Sequence, residues 1–253
     1  MLSWALSTEG SWPELLGALF QASKSPDASH REGAFRIFAT TPNIIGKQHS
    51  DAVRGAFQSG FSDETLVVGA SLVQLVVLPT LLTPPVKVRI AAIEAFSSFF
   101  RSVPRDVQKQ FWSLLPEILN VLPVIKDAQD SDNMSKILVA LIDLADVAPL
   151  MFKALFSQVV KFGISVVQDK GLSDTARQSA LELLVTFADN APNMCKKEPL
   201  YAREMVTQCL SLMTDIGASD DDAEEWNDSD DVSTAVYKWC TYVTCLLVTV
   251  GCR

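Results

Sequence analysis

The sequence is poor in the residues that most catalysis and metal chemistry draw on. It holds 2 His and 3 Tyr in 253 residues, and neither His30 nor His49 has a cysteine or another histidine nearby. Zinc sites need three or four such ligands close together, so neither is read as a ligand. The patterns GxGxxG, GxxxxGK[ST], GxSxG and HExxH are all missing, which leaves no phosphate cradle, nucleophile elbow or zinc-protease helix. No enzyme and no cofactor are expected. Basic charge is short as well: 21 Lys+Arg stand against 30 Asp+Glu, for a net charge of −9. That balance excludes a general nucleic-acid binder, which needs a basic surface. The five cysteines (Cys195, Cys209, Cys240, Cys245, Cys252) are odd in number and match no zinc or redox spacing. The opening MLSWALSTEGSW has no basic start, and Thr8 and Glu9 break its apolar stretch, so it does not read as a signal peptide. An intracellular, reduced protein is expected.

What is present is helical periodicity. Val88, Ala92, Ala95, Phe96, Phe99, Phe100 and Val103 follow steps of three and four, the spacing of one buried helix face. Phe152, Leu155, Phe156, Val159, Val160, Gly163, Ile164 and Val167 repeat it. So do Ala176, Ala180, Leu181, Leu184, Phe187, Ala188 and Ala191, and then Ala202, Met205, Val206, Cys209, Leu210 and Met213. No comparable stretch alternates with a period of two, so the fold class is all-α.

The helices are punctuated in a repeating way. FATTP, FRSVP, ADVAP and ADNAP close successive segments at Pro42, Pro104, Pro149 and Pro192, spacings of 62, 45 and 43. Proline ends a helix by removing a donor and by turning its predecessor away from the α region. Asp or Ser-Asp, as at Pro26-Asp27 and Ser173-Asp174, is placed to cap the next helix. Two helices in forty-odd residues is the HEAT/armadillo range, in which pairs stack because one pair cannot bury its own apolar faces. The expectation is a right-handed HEAT solenoid over residues 1–216, truncated at both ends. It comprises pairs at roughly 12–42, 44–104, 105–149 and 150–192, then a helix at 199–216.

Two segments do not fit. Leu66–Pro85 runs twenty residues without a charge and lengthens the first spacing. A membrane span is one reading by hydropathy, but Pro79 and Pro84-Pro85 interrupt it; an insertion in a repeat turn, genuine or an unspliced intron, is the favoured reading. Thr234–Arg253 is β-branched, aromatic and Cys-rich, and follows a Val-Ser pair that a read-through splice donor also encodes. The atypical tail at 234–253 therefore fits a gene-model artefact.

Charge is concentrated between these odd segments. Asp220, Asp221, Asp222, Glu224, Glu225, Asp228, Asp230 and Asp231 fall in an acidic loop at 217–233 that has no basic residue, while the rest carries 21 basic and 22 acidic groups. Eight carboxylates so close must stay solvated, and their field reaches about a Debye length, ~8 Å at physiological salt. With Trp226 among them they form a candidate surface for basic partners; an inert linker is the plain alternative. A calcium loop is disfavoured because Glu225 stands where an EF-hand needs glycine. Ser219 before the acids fits either an acidophilic kinase site or a cap.

Specific words then become legible. KFGISVVQDKGLSDTARQSALELLVTFADNAPNMCKKEPLYAREMVTQCLSLMTDIG, from Lys161, with the DDDAEEWND that follows shortly after, resembles the karyopherin-beta nuclear import receptors, importin beta-3 branch. SWPELLGALFQASKSPDASHREGAFRIF and VKVRIAAIEAFSSFFRSVP are similar to the same family in the same order. The resemblance covers about 12–65 and 86–231. It implies part of the N-terminal half of a receptor that carries cargo with basic localisation signals, binds Ran-GTP and touches phenylalanine-glycine nucleoporins. It also implies a place in cytoplasm, nucleus and nuclear pore, with no nucleic acid and no membrane. Arg31, Arg89 and Arg177, which recur at one position of the second helices, are expected to form a ladder to acids of neighbouring repeats. A HEAT scaffold organising another complex is the rival reading; it does not require the acidic loop.

Overall fold

The computed structural model describes residues 13–42, 50–61 and 84–214. The chain divides into two compact units, Met1–Met151 and Phe152–Arg253. Among the described residues there are helices and turns and no strand. Residues 66–83 of the apolar stretch and the whole of 217–253, with the expectations attached to them, lie outside the described residues.

In the first unit α1 (Pro13–Ala22) pairs with α2 (Ala28–Thr40), and α3 (Ser50–Phe61) with α4 (Pro84–Ser102). The next first helix is broken into α5 (Arg105–Gln108), a 3-10 stretch (Lys109–Leu114), α6 (Leu115–Leu119) and α7 (Leu122–Asp127), before α8 (Ser131–Val147). The breaks have a cause in sequence. Pro116 and Pro123 each lack an amide and fall in the first turn of a new short helix, so one continuous ladder cannot form.

Helix starts and stops are set by side chains and prolines. Asp27 accepts the Ser29 amide at 2.9 Å to open α2, and Asp130 accepts the Asn133 amide at 3.0 Å to open α8. Both satisfy first-turn donors that have no partner within the helix. Thr41 and Ala148, each preceding a proline, leave the helix at φ/ψ of −133/57° and −142/65°. The proline ring forces that departure.

α4 is the centre of this unit. Val88, Ala92, Ile93, Ala95, Phe96 and Phe100 are fully buried, because α2 lies against one flank, α8 against the other and α3 across it. Phe35, Phe38, Phe57, Phe61, Phe96, Phe99 and Phe111 form a continuous ring cluster with centroid separations from 5.2 to 6.4 Å. Each buried Phe contributes about 1.5–3 kcal/mol, so this cluster is a principal source of stability. Phe57 and Phe61 reach Phe96 directly, so α3 and α4 pack as a pair although residues 62–83 separate them. The connections between paired helices elsewhere are 23–27, 128–130 and 168–173. Pro84 and Pro85, read from sequence as the end of the apolar insertion, instead form the first turn of α4; proline is favoured there because the first-turn amides are unpaired in any case.

In the second unit α9 (Phe156–Val167) packs on α10 (Asp174–Asn190), followed by α11 (Pro192–Cys195) and α12 (Tyr201–Thr214), which lies against α9 and α10. A 3-10 turn, Pro149–Phe152, leads into it. The periodic stripe beginning at Phe152 thus enters helix only at Phe156. Ser173 caps α10 through the Ala176 amide at 3.3 Å, and Ala191 before Pro192 closes it at φ/ψ of −142/54°. Phe187 meets Phe152 at 5.0 Å and Phe156 at 5.2 Å. Tyr201 is fully buried, with its ring against Phe156 and its hydroxyl donating to the Leu184 carbonyl. One expectation for this stripe fails: Leu210 is 53% exposed, because Met205 and Cys209 take the buried face of α12 and position 210 turns off it.

Candidate functional site

The recurring arginines are the first residues to place. Arg31 is buried, and its Nη1 donates to the Ser25 carbonyl at 2.7 Å and the Pro26 carbonyl at 2.9 Å. Arg177 is buried too; its Nε donates to the Val167 carbonyl at 2.9 Å and its Nη1 to Asp174 Oδ1 at 3.1 Å. These bonds run inside a helix pair: Arg31 ties the start of α2 to the turn before it, and Arg177 ties the start of α10 to the end of α9. Arg89 sits half-buried in the first half of α4. At the end of α4 a neutral side chain does similar work. Gln108 Nε2 donates to the Phe100 and Val103 carbonyls at 2.9 and 3.1 Å, filling acceptors that the helix terminus leaves open.

Between pairs, a different ion pair links the second helices. Arg101 Nη1 on α4 lies 2.8 Å from Asp143 Oδ1 on α8, and Ser97 Oγ donates to Asp143 Oδ2 at 3.2 Å. Periodicity alone does not single out any of the three. Arg101 and Asp143 are 42 residues apart, and only the packing of α4 on α8 fixes their register.

These residues belong to polar stripes along the second helices. Glu32 and Arg36 on α2 pair at 2.7 Å. Lys87, Glu94, Ser98 and Arg101 share one face of α4, Lys136, Asp143 and Asp146 one of α8, and Gln178, Glu182 and Asp189 one of α10. Val139 stands in the α8 stripe at 51% exposure. Such a surface can recognise a protein by distributed charge and hydrogen bonds. The described residues include no group of three His, Cys, Asp or Glu able to hold a metal ion, and no helix among them is long and apolar enough to cross a membrane. The Cys195 and Cys209 thiols are buried, and burial raises both to about 11, so they are protonated and unreactive at neutral pH. The acidic segment, Asp220, Asp221, Asp222, Glu224, Glu225, Trp226, Asp228, Asp230 and Asp231, lies outside the described residues.

Comparison with known proteins gives this repeat architecture a family. A family described as IPO5-like, TPR repeats, matches residues 4–77 and 71–162, and one described as Importin repeat matches 169–235. The chain is 37% identical over 220 residues to importin subunit beta-3 of Saccharomyces cerevisiae, covering 87% of this chain and 18% of that protein. A probable importin-5 homolog of Dictyostelium discoideum is 27% identical over 230 residues, 91% of this chain and 20% of that protein. Among solved structures, Kap121p bound to the SUMO protease Ulp1p has a TM-score of 0.74 at 34% identity, covering 95% of this chain and 22% of that one. Kap121p bound to RanGTP gives 0.72 at 34%, and Kap121p bound to Nup53p gives 0.71 at 36%, each covering 95% of this chain and 21% of that one.

The helix pairs and these matches define an all-α, HEAT-type transport-receptor fold. The chain belongs to the karyopherin-beta family, in its importin beta-3 branch. It spans about a fifth of the length of the curated relatives it matches. The two IPO5-like matches meet at 71–77, within Leu66–Pro85.

Proposed function

We propose that this chain forms part of a nuclear import receptor and works by reversible protein–protein contact. The reading is carried by one observation: its helix pairs match a receptor solved with a protein bound to it, with Nup53p and with RanGTP. The polar stripes on α2, α4, α8 and α10 suit that role. On this reading the chain contributes to binding cargo with basic localisation signals, Ran-GTP and phenylalanine-glycine nucleoporins, and moves between cytoplasm and nucleus through the pore.

Within it, the acidic segment is the element we assign to basic partners. Its carboxylates attract cations at long range, and Trp226 supplies a short-range stacking surface for aliphatic or guanidinium groups. Two kinds of variant separate these roles. Changing Asp220, Asp221, Asp222, Glu224 and Glu225 to Asn or Gln should slow association and weaken its salt dependence, since distributed surface charge acts by steering. Trp226→Ala should instead raise the dissociation rate. Association kinetics with a lysine-rich peptide and with Ran-GTP at two ionic strengths test both. If both variants behave as the parent with both ligands, the segment is a linker and this assignment is wrong.

A further inference from the structure

We draw no further inference here: the strongest candidate, the acidic stripe of Asp174, Glu182 and Asp189 along the exposed side of α10, is a cluster of carboxylates on the polar face already described, and no second observation points to a ligand on it.

Discussion

Two glycines on one helix should respond in opposite directions to the same methyl group. Gly55 and Gly60 both lie in α3. A Cβ at Gly55 would meet nothing within 4 Å, whereas a Cβ at Gly60 would lie 2.5 and 2.7 Å from two ring carbons of Phe35 and 2.8 Å from Ala92 Cβ. Gly→Ala in a helix interior stabilises by about 0.5–1 kcal/mol through backbone entropy. At Gly55 that gain stands alone. At Gly60 it is opposed by overpacking, which costs about 1–3 kcal/mol where neighbours cannot move. Here they cannot. Phe35 is fully buried with Phe38 at 6.0 Å and Phe57 at 6.1 Å, and Ala92 is fully buried on α4. Gly60→Ala should therefore destabilise by about 1–2 kcal/mol net, while Gly55→Ala stabilises by about 0.5–1 kcal/mol. Urea unfolding of the two variants and the parent reads both signs. If Gly60→Ala were as stabilising as Gly55→Ala, the close approach of α2, α3 and α4 would be refuted.

Four further outcomes follow from the same geometry. Gln108→Leu strips two carbonyls at the end of α4 of their donor and should cost about 1–3 kcal/mol in denaturant unfolding. Arg101 and Asp143 form a partly exposed pair, so a double-mutant cycle with Arg101→Ala and Asp143→Ala should give a coupling no larger than about 1 kcal/mol, reduced by salt. The Cys195 and Cys209 thiols and the Tyr201 hydroxyl are all raised by burial in the fold, so the neutral forms favour folding; that contribution is complete below the ordinary thiol range and is lost as pH rises toward about 11. Melting temperature should fall through that alkaline window, and less in Cys209→Ala than in the parent. Deleting residues 66–83 leaves Ser62–Thr65 to join α3 to α4, a connection as short as the others, and should leave the melting temperature within a few degrees; a larger loss would mean those residues pack within the repeat.

Much of the helical plan is legible in the sequence because it rests on local chemistry. The proline that closes α2, α8 and α10 and the caps Asp27 and Ser173 act within a few residues of their own position, so spacing reveals them. Phe96, Phe99 and Phe100 announce a buried face by period alone. What escapes depends on distance in sequence. The recurrence of Arg31 and Arg177 points to acids of neighbouring repeats. The bonds described above for them include backbone carbonyls of the turn before α2 and of the end of α9. A carbonyl acceptor leaves no trace in sequence, since every residue has one. Arg101–Asp143 is hidden for a related reason: it needs the register of one helix on another.

The backbone carbonyls held by Arg31 and Arg177 bear on why these arrays can be both stable and adaptable. A repeat receptor must keep each helix pair intact while neighbouring pairs shift by small amounts on different partners. The guanidinium bond to Val167 is buried and those to Ser25 and Pro26 are part-buried; all three lie within a pair, where water competes for them less than at an exposed surface. The Arg101–Asp143 bond joins two pairs and has 58% and 32% of its side chains exposed, so it is weak and replaceable by water. Strong polar contacts inside pairs and a weak one between them place compliance at the α4–α8 junction. That division predicts a pattern of hydrogen exchange. Amides in the first turn of α10, behind Arg177, should exchange as slowly in Arg101→Ala as in the parent, while the same substitution should speed exchange in the last turn of α4. If Arg101→Ala instead left α4 unchanged and loosened α10, polar contacts would not partition rigidity in this way.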